Sequence, residues 1–381
     1  MSVTHAKGFT AAGLEIGLKS SGGKDLAIVH NLGPNQSAAA VFTSNRAKAN
    51  PIIWSQQVIA DGLASAIVLN SGGANCYTGA QGFRVTHSTA EAVARKLGVS
   101  ATDVLVCSTG LIGDQLPLET ILAGVDAARP TVDGGADAAL AILTTDSRPK
   151  TSVIDRGSWS IGGMAKGAGM LAPGLATMLV VITTDADLPA HALDAALRSA
   201  TRVTFDRLDS DGCMSTNDQV SLLASGASAI TPTAEEFTAS LTELCADLAL
   251  QLQGDAEGSS HDITIETVNA ATEDDAVEVG RAVARNNLFK AAVFGNDPNW
   301  GRVLAAVGTT TAEFDPYAID VSINGVEVCR SGEPGEPREL VDLTPRAVHV
   351  RIDLKAGAEH ASIWTNDLTH DYVHENSAYS S

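Results

Sequence analysis

The chain has 381 residues, and its 25 Lys and Arg against 45 Asp and Glu give a formal net charge of −20. Such an acidic balance argues against a general binder of nucleic acid or of anionic membranes, because phosphates need a basic face. Hydrophobic residues make up 44% and charged residues only 18% of the chain. This composition is typical of a globular protein and excludes wholesale disorder.

Neither export nor a cofactor is indicated by local patterns. No stretch approaches the length of about 18 uninterrupted apolar residues of a membrane helix, and residues 1–7 lack the apolar core of a signal peptide. The five cysteines are odd in number and contain no C-x-x-C pair, and the nine histidines form no ligand cluster. We therefore expect a cytoplasmic protein with reduced thiols and no metal site.

Apolar periodicity predicts strands and helices mixed along the whole chain. The first five are a strand at Ser65–Leu69, a helix at Phe83–Leu97 closed by Gly98, a strand at Val104–Cys107, a helix at Pro117–Ala128 and a strand at Met178–Ile182. Then follow a helix at Pro189–Ala200, a capped helix from Thr233 to about Gln253, a strand at Ile263–Val268 and a helix at Glu273–Leu288 opened by Thr272. The last are a hairpin of Ile319–Ile323 and Val326–Val328 around Asn324-Gly325, and a strand at Val348–Leu354 with one solvent-exposed face. This order predicts a mixed α/β protein.

The segment from Gly162 to Asp185 is the most informative one for chemistry. A glycine-rich stretch with one cation, Lys166, which we expect to be flexible, leads to Thr177 directly before the predicted strand Met178–Ile182. A hydroxyl placed there could attack its own preceding carbonyl, and hydrolysis would then free an α-amine with an ordinary pKa of about 7.7–8.0 that serves as its base. Taken alone, a threonine that opens a strand is more simply explained by its β propensity.

Eight further short blocks of sequence follow one another along the chain, and together they are specific enough to indicate a family. They are Val41–Asn45, Asn70–Asn75, Ser108–Gly113, Thr144–Asp146, Ser215–Asp218, Glu257-Gly258, Asn296–Arg302 and Tyr372–Ser381. With the segment around Thr177, they resemble the ornithine acetyltransferase family, the bifunctional glutamate N-acetyltransferases of arginine biosynthesis. The resemblance covers essentially the whole chain.

The resemblance implies a self-processing enzyme with a threonine nucleophile. Thr177 would be both the acetyl-accepting nucleophile and the residue after the cut at Ala176-Thr177, which gives an α chain of residues 1–176 and a β chain of residues 177–381. Thr109 and Gly110 match the family's oxyanion pair. The fold implied is a mixed α/β assembly with sheets sandwiched between helix layers and two intertwined chains, and we expect a dimer of such heterodimers.

The resemblance also implies the substrate ligands, which are Thr144 or its neighbour Thr145, Lys166, Thr177, Glu257, Asn376 and Ser381. Lys166 would bind the substrate carboxylate, and Glu257 would face the side-chain ammonium of ornithine. Many relatives end in Thr where this chain has Ser381, so the hydroxyl is retained. Asp211, Asn217, Asp218 and Asn296–Arg302 are expected to be architectural, with no chemistry assigned.

The reaction implied is a ping-pong transfer of acetyl from N2-acetyl-L-ornithine to L-glutamate through acetyl-Thr177, which needs no metal or organic cofactor. Nothing in the sequence decides whether acetyl-CoA is a second donor. Two alternatives stay open at this point. One is a self-processing amidase or aminopeptidase of related architecture, with water as the acceptor. The other is an uncleaved binding or structural protein that keeps the fold without the chemistry.

Overall fold

A computed structural model describes residues 2–172 and 178–378, and these residues form two compact units. The first unit comprises the described residues of Met1–Ala168, Gly174–Asp206 and Met214–Leu252. The second comprises those of Gly169–Pro173, Arg207–Cys213 and Gln253–Ser381. The predicted boundary between Ala176 and Thr177 lies outside the described residues, so it stays a prediction.

The first unit contains two sheets. Their strands are β1 (Phe9–Leu14), β2 (Leu26–Asn31), β3 (Ser37–Phe42), β4 (Ala66–Asn70), β5 (Val104–Ser108), β6 (Lys150–Asp155), β7 (Ser160–Lys166), β8 (Leu179–Thr184) and β9 (Gln219–Ala224). One sheet has the order β1-β2-β4-β5 and the other has the order β3-β9-β8-β7-β6. Neighbouring strands are antiparallel except for the parallel pairs β4–β5 and β8–β9.

The two sheets pack against each other through one face of each, and helices pack on the opposite faces. The helices of this unit are α1 (Asn50–Val58), α2 (Gly79–Leu97), α3 (Leu118–Ala127), α4 (Gly135–Ala141), α5 (Ala190–Val203) and α6 (Ala234–Gln253), which enters the second unit at its last residue. Leu69 of β4 and Val181 of β8 share one buried core between the sheets, whereas Val68 packs with Val93 of α2 on the other face of β4. Successive strand residues point to opposite faces, so this division follows directly from the apolar sequence of the strands.

The second unit is a six-stranded sheet with helices. Its strands are β10 (Asp262–Ala270), β11 (Asp320–Ile323), β12 (Val326–Arg330), β13 (Glu333–Pro334), β14 (Ala347–Asp353) and β15 (Glu359–Asn366), in the order β13-β12-β11-β14-β10-β15. Its helices are α7 (Glu273–Ala284), α8 (Asn287–Phe294), α9 (Trp300–Val307) and α10 (His370–Ala378). Ile265 and Val350 from the sheet form one core with Val279 and Val303 from the helices. None of the helices in the described part of the chain combines the length and apolar character needed to cross a membrane.

Most of the predicted elements are confirmed, including the mixed α/β class and the two sheets of the first unit between helix layers. Gly98 ends α2 in the left-handed conformation, with a φ of 74°. Thr233 accepts a hydrogen bond from the Glu236 N–H at 3.2 Å, as a capping residue does. In the predicted hairpin, Asn324 and Gly325 both have positive φ, which the tight turn requires.

Two predictions about local structure are wrong. The single helix predicted at Glu273–Leu288 is two helices, because the Asn286 side chain accepts a hydrogen bond from the Phe289 N–H and so starts α8. The glycine-rich stretch before Thr177 is not flexible up to Lys166, since it contains the buried strand β7. Its glycines serve close packing, because a Cβ on Gly162 would lie 2.2 Å from the Ser2 carbonyl oxygen.

Candidate active site

Three strands of the first unit bring candidate residues to one end of a sheet. Lys166, the last residue of β7, pairs with Leu179, and Leu179 pairs with Gln219, the first residue of β9. Met178 and Asp218 directly precede these two strands, and the Met178 N–H donates a hydrogen bond to Asp218 Oδ1 at 3.2 Å. Thr177, the predicted nucleophile, is the residue bonded to Met178 and lies outside the described residues.

Lys166 is buried in a polar environment rather than exposed to solvent. Its side chain is 2% exposed, and its Nζ donates to the Thr144 hydroxyl at 3.2 Å. The two sequence-predicted ligands Thr144 and Lys166 are therefore in contact, although 22 residues separate them along the chain. Thr144 is the first of the two threonines that the sequence left open as substrate ligands, and that choice stays a prediction.

The negative charge beside Lys166 comes from Asp146, a residue to which the sequence analysis gave no role. Asp146 Oδ1 accepts hydrogen bonds from Lys150 Nζ at 2.5 Å and from the Gly167 N–H at 2.7 Å. Burial raises the pKa of Asp146, but the charges of Lys166 and Lys150 and the Gly167 N–H outweigh it, so this pKa lies below its usual range. Asp146 is thus an ionised carboxylate that balances two buried cations.

Thr109 and Gly110 follow the carboxyl end of β5 and carry two uncommitted donors. Within residues 2–172 and 178–378, neither the Thr109 hydroxyl nor the Gly110 N–H forms a hydrogen bond, although the Thr109 carbonyl accepts one from the Gly73 N–H at 2.9 Å. Only glycine fits at position 110, since a Cβ there would lie 2.7 Å from the Gly73 nitrogen. Two free donors on a tightly held backbone are what oxyanion stabilisation needs.

Asn217 fixes the segment of Thr109 and Gly110 close to Met178, the residue that precedes β8. Its Nδ2 donates to the Ser108 carbonyl at 2.8 Å and to the Ala74 carbonyl at 2.6 Å. Since Asn217 precedes Asp218, the segment with Thr109 is tied to the loop that contacts Met178. The expectation that Asn217 is architectural agrees with these bonds, which position backbone and leave no group for chemistry.

Glu257 and Asn376 meet in the second unit. Asn376 Nδ2, on α10, donates to Glu257 Oε2 at 2.9 Å across 119 residues of chain. A Cβ on Gly169 would lie 2.5 Å from Glu257 Oε2, so this carboxylate also lies against the backbone a few residues before Thr177. Tyr372–Ala378, which the sequence would otherwise predict as a disordered tail, belongs to the helix α10.

A cavity of about 190 Å³ adjoins Glu257 and is lined in addition by Asp211, Lys290, Asp367 and Tyr372 among others. Burial raises the pKa of Asp211 despite the N–H groups of Cys213 and Met170, and burial lowers the pKa of Lys290 despite the neighbouring aspartates. Burial and Asp211 also raise the pKa of Tyr372. The cavity therefore combines carboxylates with an ammonium in a poorly hydrated place.

The structure thus brings the sequence-predicted residues together in three groups: Thr144 with Lys166, Thr109 with Gly110, and Glu257 with Asn376. Ala176, Thr177 and Ser381 lie outside the described residues. Sequence reasoning assigned no role to Asp146, because nothing in a pattern of letters shows that an aspartate sits between two buried lysines.

We expect Asp146→Asn to destabilise the protein by about 3–5 kcal/mol, because it removes a buried carboxylate that balances the charges of Lys150 and Lys166. The pKa of Asp146 is lowered in the folded state, so its contribution is present above an ordinary pKa of about 3.9 and is lost as the pH falls below it. The measurement is urea denaturation at neutral and acidic pH. As a control, Asp194→Asn removes an exposed ion pair with Arg198 and should cost less than about 1 kcal/mol. Equal effects of the two substitutions would contradict this electrostatic role.

Comparisons with known proteins show to which family this chain belongs. The ArgJ family model matches residues 10–381. The arginine biosynthesis bifunctional protein ArgJ of Streptomyces coelicolor is 63% identical, with all of both chains covered. Among solved structures, ornithine acetyltransferase complexed with ornithine from Mycobacterium tuberculosis is 49% identical over 47% of this chain and 96% of that chain, with a TM-score of 0.45. The bifunctional protein argJ of Bacillus halodurans is 34% identical over 52% of this chain and 97% of that chain, with a TM-score of 0.50. A family match over nearly the whole chain, together with a full-length relative at this identity, shows that the chain belongs to the ArgJ family.

Proposed function

We propose that this protein is a glutamate N-acetyltransferase of arginine biosynthesis that transfers acetyl from N2-acetyl-L-ornithine to L-glutamate. The full-length relative at 63% identity carries the name of an arginine biosynthesis enzyme, which supports the pathway. The observation that carries the chemistry is the pair of uncommitted donors at Thr109 and Gly110, fixed by Asn217 beside the loop that contacts Met178. Together these features favour acyl transfer to Thr177.

In the proposed mechanism Thr177 attacks the acetyl carbonyl of the donor. Its own α-amine takes the hydroxyl proton and then gives it to the departing amine of ornithine. The Thr109 hydroxyl and the Gly110 N–H stabilise the tetrahedral oxyanion, and losing one such donor typically costs about 10²–10³ in rate. Glutamate then attacks acetyl-Thr177 and leaves as N-acetylglutamate, so the two half-reactions share one nucleophile.

We propose that two charges select the substrates. The buried Lys166, with the Thr144 hydroxyl, binds the α-carboxylate that N-acetylornithine and glutamate have in common. Glu257, held by Asn376, accepts the δ-ammonium of ornithine, and Ser381 is a further ligand. A buried ammonium that already has a counter-ion in Asp146 is suited to hold a carboxylate without a large change in local charge.

The proposal includes cleavage between Ala176 and Thr177, because only cleavage supplies the free α-amine that the mechanism uses. The solved bifunctional relative from Bacillus halodurans has a chain that matches about half of this one, which is compatible with processing into two chains. We further propose that the two chains stay associated and form a dimer of heterodimers in the cytoplasm. Acetyl-CoA is included as a second donor, since its thioester would give the same acetyl-Thr177.

The alternative of a self-processing amidase or aminopeptidase is less well supported. A hydrolase uses water as its acceptor and needs no second amino-acid substrate. The contact of Lys166 with Thr144 and that of Asn376 with Glu257 instead provide polar groups for a carboxylate and an ammonium. Full-length identity to an arginine biosynthesis protein also favours the transferase.

The denatured mass of the purified protein, compared with Thr177→Ala, tests the proposal. We expect the wild type of 39.2 kDa to give two chains of about 18 and 21 kDa, the larger beginning with Thr177, and the variant to stay intact. Release of ornithine from N-acetylornithine should require glutamate for steady turnover. An intact wild-type chain would remove the self-processing mechanism, and steady turnover without glutamate would favour the hydrolase.

Glu257→Gln should change the KM of one substrate and not that of the other. Without the carboxylate, the KM for N-acetylornithine should rise by about 10-fold or more, because a charged hydrogen bond that contributes about 1.5–3 kcal/mol is lost. The KM for glutamate should not rise, because its side chain carries no ammonium. Initial rates at varied donor and acceptor concentrations give both constants. A parallel rise in both would show that Glu257 has a general structural role and does not read the ammonium.

A further inference from the structure

The carboxyl group of Asp218 is completely buried next to the predicted cleavage site. Its Oδ1 accepts the hydrogen bond from the Met178 N–H, and the nitrogen of Met178 is covalently bonded to the carbonyl carbon of Thr177. The hydroxyl groups of Ser215 and Thr43 lie near this carboxyl and favour its charged form. Its other oxygen, Oδ2, nevertheless has no partner within hydrogen-bond distance in residues 2–172 and 178–378. An unpaired carboxylate oxygen in such a place is costly, which calls for a reason to keep it there.

Self-cleavage poses a chemical problem that acetyl transfer does not. In the mature protein the α-amine of Thr177 can accept the proton of its own hydroxyl. Before cleavage that nitrogen belongs to the peptide bond with Ala176, and an amide nitrogen is not a base. The first attack of the Thr177 hydroxyl therefore needs another proton acceptor.

We propose that Asp218 is the general base for self-cleavage. This inference rests on the proposed function of Thr177. Covalent bonds alone keep the Thr177 hydroxyl within a few bond lengths of the Met178 nitrogen, to which Asp218 is hydrogen-bonded. Asp218 is the one titratable side chain that hydrogen-bonds to Met178 within the described ranges.

The step balances as an N-to-O acyl shift. Asp218 Oδ2 takes the proton of the Thr177 hydroxyl while its oxygen bonds to the carbonyl carbon of Ala176. The tetrahedral carbon then expels the Thr177 nitrogen, which receives the proton from Asp218, so that an ester replaces the peptide bond. Water hydrolyses this ester to a carboxylate on Ala176 and a free Thr177 with its α-amine, and Asp218 returns to its starting state.

The surroundings of Asp218 make its carboxylate a stronger proton acceptor than an exposed one. Burial raises the pKa of its carboxyl well above the usual range, although the Met178 N–H, the charge of Lys166 and nearby hydroxyls lower it. A carboxylate with an ordinary pKa would be a weak proton acceptor, so the shift strengthens this role. The carboxyl is also preorganised, because its backbone carbonyl accepts the Thr43 N–H at 3.0 Å and Asn217 beside it is fixed to the Ser108 carbonyl.

Lys166 is less suited to be this base. Its ammonium already donates to Thr144 and lies beside the ionised Asp146, and nearby carboxylates favour the charged form of an amine. An ammonium has no lone pair with which to accept the proton of the Thr177 hydroxyl.

The test follows cleavage of the freshly produced full-length chain by denatured mass over time, in the wild type and in Asp218→Asn. The amide keeps the shape of the side chain and an acceptor for the Met178 N–H but removes the base. We expect cleavage to slow by about 10²-fold or more.

Hydroxylamine shows at which step the variant stops, since it cleaves an ester between Ala176 and Thr177 but not the intact peptide bond there. Fragments from the Asn324-Gly325 bond, which hydroxylamine can also cleave, differ in mass and are not counted. The reagent should not release fragments from Asp218→Asn if the acyl shift itself is blocked. Release of fragments would mean that the ester forms without Asp218, which would overturn the proposal. Cleavage of Asp218→Asn at the wild-type rate would overturn it as well.

Asp25→Asn is the matched control for buried carboxylates in the same unit. Asp25 is as buried as Asp218, but it accepts the N–H groups of Ile16 and Leu18 and does not contact Met178. Its variant should lose stability and still cleave, and circular dichroism reports whether each variant is folded. If Asp218→Asn is unfolded, the smaller Asp218→Ser takes its place with the same expectations. An uncleaved wild type would defeat the proposed function itself, whereas a cleaved wild type with a normally cleaving Asp218→Asn would defeat this inference alone.

Discussion

The register of three neighbouring strands determines where the chemistry of the first unit can take place. Antiparallel pairing of β7 with β8 and parallel pairing of β8 with β9 set Lys166, Leu179 and Gln219 side by side at one sheet end. A shift by one residue would turn the buried Lys166 to the opposite face. The loop before β9 then places Asp218 on the Met178 nitrogen, and Asn217 holds the segment of Thr109 and Gly110 beside it.

Buried charge is the cost of this arrangement. Lys150, Lys166, Asp146 and Asp218 are all withdrawn from water in one unit, and each would be strongly destabilising alone. The negative charge of Asp146 offsets part of this cost, because it interacts with both Lys150 and Lys166. Within the described part of the chain, one oxygen of Asp218 meets no hydrogen-bond partner, so fold stability alone does not explain its burial. Groups that a protein tolerates in this state are commonly found where they serve a reaction.

The sequence predicts most helices and strands of this fold well, but it does not predict the long-range hydrogen bonds between polar side chains. Apolar runs such as Val104–Cys107 and the Asn324-Gly325 turn identify strands because their residue types have few other uses. The sequence misses β7 because consecutive glycines such as Gly162 and Gly163 are typical of loops. Only the structure shows that neighbouring atoms pack too closely against them for a side chain. Thr109, Lys166, Glu257 and Asn376 could be selected only through the family resemblance. Their contacts depend on pairings that span from 22 to more than 100 residues, which no local pattern contains.

The central claim is that acetyl resides on Thr177 between the two half-reactions, and a trapped intermediate tests it most directly. The protein is mixed with N-acetylornithine carrying a labelled acetyl group in the absence of glutamate, quenched in acid and digested for mass spectrometry. The account predicts one ornithine released per active site in a burst, and the label on the peptide that begins at Thr177. Added glutamate should remove the label as N-acetylglutamate. Turnover without any labelled peptide, or label on another residue, would contradict the account.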